Sequence, residues 1–230
     1  MKQRLTHPLT VATLLALNGG IVDTAGFLGL HGLFVAHVTG NFVTLGAALI
    51  SGGHGVIGKI LALPEFILVI GLARLAGTVL RGANFPARPI LFGAKVLLLF
   101  TFFVLAVRFE PFTDGDSPQA LLAGFAGIAA MACQNAVQRV HLAKMPPSTM
   151  MTGSTVQATL DLVDILTGAH PEQQAETRAR FRRLSITLLA FAIGCAVSAV
   201  MYSYIGFRCL ALAVVVGILA AIIPVNEGGT

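Results

Sequence analysis

Charged residues are scarce in this chain of 230 residues. Only 15 are Lys or Arg and 10 are Asp or Glu, which is 11% of the sequence, whereas 56% of the residues are hydrophobic. A soluble domain normally carries about 25% charged residues. The composition therefore excludes a soluble protein and predicts a single membrane domain over residues 1–230, with the lipid bilayer as its surroundings.

The sequence also lacks the usual marks of a metalloprotein, an enzyme or a nucleic-acid-binding protein. Its three cysteines, Cys133, Cys195 and Cys209, lie within apolar runs, which suits neither a disulfide framework nor a zinc site. No HExxH, GxSxG or GxxxxGK motif is present, and the histidines do not cluster as ligands. The basic residues form no patch for a nucleic acid backbone. We therefore expect no cofactor, no metal and no nucleic acid partner.

Eight apolar segments follow one another along the chain and are separated by polar or charged residues. They cover residues 9–30, 40–53, 59–81, 89–108, 118–139, 149–167, 184–204 and 207–224. Two of them are unusual, because a transmembrane helix needs about 20 mostly apolar residues. Segment 40–53 is too short for a comfortable crossing. Segment 149–167 carries five polar residues, which are Thr152, Ser154, Gln157, Asp161 and Asp164.

The distribution of Lys and Arg indicates whether these two segments cross the bilayer, because cytoplasmic loops collect basic residues. With the amino terminus inside and all eight segments crossing, eight basic residues lie inside and six outside. If the two unusual segments return to the side from which they came, eleven lie inside, and only Lys59, Arg108 and Arg208 lie outside. This second arrangement is favoured. It predicts an all-α polytopic protein with six full transmembrane helices, two re-entrant or half-helical segments and a cytoplasmic amino terminus.

The favoured topology divides the chain into two inverted repeats, residues 9–108 and residues 118–224. The short stretch HVTGNFVTL, residues 37–45, returns in altered form as MMTGSTVQA, residues 150–158. When the two Thr-Gly pairs are aligned and one inserted residue is allowed, Val22-Asp23 falls opposite Gln134-Asn135. The shared order of segments and these polar coincidences favour an internal duplication.

Each repeat has a polar corner at the predicted start of its short helix. The first corner is Thr39, Gly40 and Asn41, and the second corner is Thr152, Gly153 and Ser154. These residue types cap helix starts, and the free backbone amides of a helix start favour a negative or electron-rich group. We expect the two corners to face one another near the middle of the membrane and to bind a solute, as in transporters with discontinuous helices. Alternatively, the small residues only allow helices to pack closely.

Several side chains near these corners are candidates for the solute pathway or for proton coupling. A carboxylate at the bilayer centre costs about 2.5 to 3.5 kcal/mol and is usually functional, so Asp23 is the leading candidate for proton coupling. Alternatively, Asp23 caps a helix near the outer edge. His37 is a second possible proton carrier, and Asp161 is a third unless it pairs with the arginines at 178–183. The remaining pathway candidates are Asn18, Gln134, Asn135 and Gln157. We expect Arg139 to reach the cytoplasmic surface.

Two longer stretches resemble the signatures of a known family. GIVDTAGFLGLHGLFVAHVTGN, residues 20–41, looks like the first signature of the YoaK-like family of bacterial membrane proteins. CQNAVQRVHLAKMPPSTMMTGS, residues 133–154, is similar to the second signature, in which Gln-Asn is followed by Thr-Gly. The resemblance covers nearly the whole chain. It implies a location in a bacterial inner membrane, and it implies no substrate or activity.

Together these features predict a secondary transporter for a small polar or anionic solute, coupled to protons through Asp23. The same segments suit a passive channel or facilitator. A membrane enzyme or an accessory subunit is a third hypothesis, although no nucleophile or metal set accompanies it. Small residues along one predicted helix, Ala123, Gly127 and Ala130, would permit a homodimer.

Overall fold

The computed structural model describes residues 8–169 and 171–224, and within these ranges it contains helices and no strand. The α-helices are α1 (Pro8–Gly29), α2 (Asn41–Ser51), α3 (Val56–Gly82), α4 (Ala87–Phe109), α5 (Pro118–His141), α6 (Met151–Thr167), α7 (Gln174–Ile205) and α8 (Leu210–Ile222). Short 3-10 turns lie at Val38–Gly40, Pro171–Gln173 and Gly206–Cys209. Each apolar segment of the sequence therefore corresponds to one helix.

Within residues 8–169 and 171–224, five helical stretches are long and apolar enough to cross a membrane. They are Pro8–Gly29, Val56–Gly82, Ala87–Phe109, Pro118–His141 and Pro171–Ile222, the last of which contains both α7 and α8. With 11 and 17 residues, α2 and α6 are shorter than the roughly 20 residues of a full span. Apolar side chains on α2 also remain outside the protein core, as Ile50 shows with 92% exposure. The chain is thus a helical membrane protein.

The centre of the fold is a close crossing of α1 and α7. A Cβ atom at Gly20 would overlap the carbonyl oxygen of Phe191, and one at Gly194 would overlap the carbonyl oxygen of Leu17. Only glycine lets two helix backbones approach this closely, so these residues fix the crossing point. Toward the end of α1, Gly29 lies against Tyr202, which means that α1 and α7 run in the same direction.

α1 and α5, the first helices of the two halves of the chain, run in opposite directions. The amide of Gln134 on α5 donates a hydrogen bond of 3.0 Å to the carbonyl of Leu15, near the start of α1. Gly124, early in α5, lies against Leu30, just after the end of α1. The two helices are therefore antiparallel. α4 and α8 are also antiparallel, because Arg88 at the start of α4 donates to the carbonyl of Ile223 after the end of α8, while Phe102, late in α4, packs on Phe207 just before α8. α3 packs on α5, as α7 packs on α1.

A buried polar pair joins α1, α4 and α8. Lys95 Nζ, which is fully buried, donates a hydrogen bond of 2.9 Å to Asn18 Oδ1. Asn18 Nδ2 in turn donates to the carbonyl oxygen of Ala213 at 2.5 Å. Asn18, a pathway candidate, therefore holds a buried lysine inside the helix bundle. Lys95 was counted above among the eleven basic residues on the inner side, and the helices enclose it.

Candidate functional site

The two corners contribute to one pocket of about 470 Å³. Thr39 of the first corner and Thr152 and Gly153 of the second all line it. Helices α3 and α5 complete the walls, with Leu63, Phe66, Ile70, Asn135, Gln138 and Arg139. Binding sites for small molecules are typically about 300 to 1,000 Å³ and mostly apolar with a few polar groups. The pocket therefore has the size and the mixed lining of a small-molecule site.

The loops that lead into the two corners reach α1 about one helical turn apart. His37, before the first corner, contacts Asp23 on α1. Before the second corner, the carbonyl oxygen of Ser148 lies 3.1 Å from the position that a Cβ would take at Gly19. Asp23 and Gly19 are four residues apart, which is about 6 Å along a helix. Residues distant in the sequence thus meet in the middle of α1.

Asp23 holds the loop before the first corner in place. One carboxylate oxygen accepts hydrogen bonds from the backbone N–H groups of Ala36 at 2.8 Å and of His37 at 3.3 Å. The other oxygen lies 2.7 Å from His37 Nδ1. Asp23 is only 3% exposed and does not line the pocket, whereas the His37 side chain is 33% exposed and does line it. Asp23 therefore contacts the pocket lining only through His37 and its loop.

The first corner does not cap its helix as the sequence predicts. Gly40 occupies the N-cap position of α2, and no side chain bonds to the free amides there. Asn41 is 1% exposed, and its side chain both accepts from the N–H of Phe34 and donates to the carbonyl of Phe34, each at 2.8 Å. Asn41 and Gly40, which packs on the Phe34 ring, therefore shape the loop. Of the three corner residues, Thr39 lines the pocket.

Three amide side chains of α5 hold the loop before the second corner. Asn135 Oδ1 accepts a hydrogen bond of 2.8 Å from the hydroxyl of Thr149, 14 residues further along, the same separation as between Asp23 and His37. Gln134 donates to Ser148 Oγ at 3.1 Å, and Gln138 accepts from Ser148 N at 3.0 Å. Gln134 is fully buried and does not line the pocket. Its side chain holds the loop before the second corner.

The second corner leaves the start of α6 without a side-chain cap. The helix begins at Met151, and the N-cap residue Met150 makes no capping bond. Ser154 is buried, and its hydroxyl bonds back to the carbonyl of Met150 at 3.3 Å, so it faces away from the pocket. The first residues of α6, including Gly153, line the pocket and carry the backbone N–H groups that have no partner within the helix.

Polar side chains of α6 form a contact with α7. Arg180 donates three hydrogen bonds of 2.7 to 3.2 Å to the two carboxylate oxygens of Asp161. Gln157 donates a fourth to Asp161 at 2.8 Å. The hydrogen bonds from Arg180 hold the pKa of Asp161 below its ordinary value. Asp161 therefore pairs with an arginine of the 178–183 stretch, which is the alternative given for it above, and neither Asp161 nor Gln157 lines the pocket.

Comparison with known proteins identifies the family. The model of the family described as "Protein of unknown function (DUF1275)" matches residues 11–223. The chain belongs to this family. Neither a curated protein nor a solved structure matches it. The stretches 20–41 and 133–154 both lie within the matched range, and they supply the polar side chains around the two corners.

Sequence reasoning missed three polar residues of this pocket, Gln138, Arg139 and Thr149. Arg139, which we expected at the cytoplasmic surface, is exposed and also lines the pocket. A signal for Arg139 was present, because residues 135 and 139 are four apart and share one face of a helix. Because Asn135 was a pathway candidate, the shared helix face indicated that Arg139 was a candidate too.

Proposed function

We propose that this protein is a membrane transporter for a small polar or anionic solute and that the pocket between the two corners is its binding site. The observation that carries this proposal is that the loop and 3-10 turn before α2, with His37 and Thr39, and the first turn of α6, with Thr152 and Gly153, line one pocket although they lie far apart in the chain. In known transporters, interrupted helices of this kind present backbone groups to a solute near the middle of the membrane. Residues 39 and 152–153 would present such groups here.

We further propose that residues 9–108 and 118–224 form two inverted repeats with six membrane crossings in total. The packing of the helices supports this. Exchanging α1 with α5, α2 with α6, α3 with α7 and α4 with α8 turns the α1–α7 contact into α5–α3, α4–α5 into α8–α1, and α2–α3 into α6–α7. All six contacts exist. The crossings would be α1, α3, α4, α5, α7 and α8, while α2 and α6 re-enter the side from which they came.

The proposed orientation places the amino terminus in the cytoplasm, and the resemblance to bacterial proteins suggests the inner membrane. Because Lys95 is buried inside the bundle, it no longer counts as a cytoplasmic residue. Ten basic residues then remain inside, against three outside. Lys2 and Arg4 are among the ten, and both lie outside the described residues. The bias still favours a cytoplasmic amino terminus.

Proton coupling in this proposal runs through His37, with Asp23 as the residue that positions it. When Nδ1 donates its proton to Asp23, Nε2 is the ring nitrogen left to exchange a proton with a solute or with water. Phe191 packs edge-on against the imidazole, with ring centroids 5.2 Å apart, and helps to fix its orientation. This assignment moves the proton-carrying role from the buried carboxylate to the histidine at the pocket wall.

Flux into proteoliposomes tests the proposal. The purified protein would be reconstituted, and uptake of labelled organic anions and neutral polar solutes would be measured with and without a pH gradient. Uptake driven by the gradient supports coupled transport, and flux that follows only the solute gradient supports a channel. No flux of any solute favours an enzyme or an accessory subunit.

A pocket-filling variant gives this experiment its control. A Cβ atom at Gly153 would meet no atom within 4 Å, so Gly153→Leu should fold and extend its side chain into the pocket. Gly71 on α3 is equally open but does not line the pocket. We expect Gly153→Leu to abolish flux and Gly71→Leu to retain it. Equal flux in both variants would show that the pocket is not on the pathway.

A further inference from the structure

The two corners differ in charge although their construction is similar. At the first corner, the Asp23 carboxylate already accepts hydrogen bonds from two backbone N–H groups of the loop before α2. At the second, the residue that bonds to the loop 14 positions further on is Asn135, which is neutral. The first corner therefore carries its own anion, whereas the second has none.

Arg139 adds an uncompensated positive charge to the second corner. It lies one helical turn after Asn135 on the same face of α5 and lines the pocket. Other arginines have acidic partners: Arg180 pairs with Asp161, and Arg208 pairs with Glu110. Among the residues that the structure describes, Arg139 makes no hydrogen bond or ion pair. None of the described residues that line the pocket is Asp or Glu.

The rest of the lining combines hydrogen-bond donors with apolar side chains. The hydroxyls of Thr39 and Thr152 have no partner within the described part of the chain, whereas Thr155, one turn further along α6, bonds to the carbonyl four residues before it. The apolar part of the lining includes Leu63 and Phe66 of α3. A ligand with one anionic end and a compact apolar body would complement both kinds of lining.

We infer that the pocket binds a small organic anion, a carboxylate attached to a short apolar chain, and that Arg139 is the residue that selects its charge. The inference rests on the proposed function only for the location of the site, since binding does not require flux. The phosphate of an anionic lipid has the same charge and the same oxygen acceptors as such a ligand. The experiment must therefore separate a free solute from a lipid headgroup.

Binding of three matched probes tests the inference. Hexanoate, hexanamide and hexylammonium share a carbon chain and differ in charge, and their affinities would be measured by calorimetry on the full chain in nanodiscs of zwitterionic lipid. We expect hexanoate to bind at least about 10-fold more tightly than the other two, because charge-assisted hydrogen bonds to a guanidinium are stronger than neutral ones. Equal affinities for the three probes would overturn the inference.

Variants of Arg139 identify the selecting residue. We expect Arg139→Gln to weaken hexanoate binding about 10- to 100-fold and to leave hexanamide binding unchanged, and Arg139→Lys to restore part of the loss. Arg182 is an exposed arginine that does not line the pocket, so Arg182→Gln serves as the matched control and should bind hexanoate normally. Unchanged hexanoate affinity in Arg139→Gln would contradict the assignment.

A second lipid composition separates the two sources of the anion. If Arg139→Gln reduces the retention of phosphatidylglycerol in mixed nanodiscs and does not alter hexanoate affinity in zwitterionic ones, Arg139 binds lipid and the inference fails. Failure of the proposed function has a different signature. Hexanoate binding without any flux would refute transport and leave the anion site in place. Flux of neutral or cationic solutes without hexanoate binding would refute the anion site and support transport.

Discussion

Two substitutions at Asp23 separate its role in holding the loop from its role in positioning His37. In Asp23→Ala, the buried N–H of Ala36 and the N–H of His37 lose their acceptor. Each unsatisfied buried group costs about 1 to 3 kcal/mol, so we expect a loss of roughly 2 to 6 kcal/mol. In Asp23→Asn, the side-chain oxygen still accepts from both groups. We expect that variant to lose only about 1 to 2 kcal/mol, because its hydrogen bonds are no longer charge-assisted.

The thermal unfolding midpoint of the purified protein measures these differences. For chains of this length, 1 kcal/mol corresponds to about 2 to 4 °C, so Asp23→Ala should lower the midpoint by roughly 5 to 20 °C. Asp23→Asn should lower it by about 2 to 8 °C. Asp164 has no hydrogen bond or ion pair through its side chain within the described residues, so Asp164→Ala is the matched control. If Asp23→Ala is as stable as Asp164→Ala, the carboxylate does not hold the loop.

The functional effect of Asp23→Asn follows from the tautomer of His37. The amide group of Asn would donate a hydrogen bond to Nδ1, which forces the imidazole proton onto Nε2 and blocks proton acceptance from the pocket. We expect this folded variant to bind solute and to lose pH-driven uptake. Uptake that still responds fully to a pH gradient would refute the proposed coupling route, because the carboxylate would then be dispensable for it.

Three further experiments test the packing and the topology. Gly20→Ala should destabilise the protein by at least about 1 to 3 kcal/mol through backbone overlap, whereas Gly71→Ala should be neutral or gain up to about 1 kcal/mol from helix propensity, as thermal unfolding would reveal. Asn18→Leu should cost about 3 to 5 kcal/mol because it leaves Lys95 buried without a partner, and adding Lys95→Met should restore most of that stability. On a background without native cysteines, Gly53→Cys should react with an impermeant maleimide from the outer side; labelling only from the cytoplasmic side would contradict the re-entrant course of α2.

The positions of the helices could be predicted because their signals are local. Long apolar runs, interrupted by Gly, Pro and charged residues, fix where each helix begins and ends. Segment 59–81 became Val56–Gly82, and segment 149–167 became Met151–Thr167. The meeting of the two corners could be anticipated for a related reason, because a sequence pattern that occurs twice at matching places predicts two similar structures.

The direction in which a side chain points could not be predicted from these local signals. Lys95 and Arg139 are both single cations near polar neighbours, yet Lys95 is enclosed by α1 and α8 while Arg139 faces a pocket. The difference depends on which helices pack beside α4 and α5, and local sequence patterns do not predict these neighbours. Asn41 illustrates the same limit, since its side chain folds back on Phe34 and not onto its own helix.

The contrast between Asp23 and Asn135 leads to a prediction that needs no knowledge of the solute. Asn135→Asp would place a carboxylate beside the Thr149 hydroxyl, now 2.8 Å from Asn135 Oδ1, and one helical turn before Arg139. Thr149 can still donate, but the bond of 2.8 Å that Asn135 Nδ2 donates to the Met131 carbonyl is lost, so thermal unfolding must first confirm that the variant is folded. In the folded variant the new anion pairs with Arg139 and repels a carboxylate ligand. We expect at least about a 10-fold loss of hexanoate affinity by calorimetry, comparable to that of Arg139→Gln. Asn84→Asp, in an exposed turn, should bind hexanoate normally. Normal binding in Asn135→Asp would mean that anions are not held at the second corner.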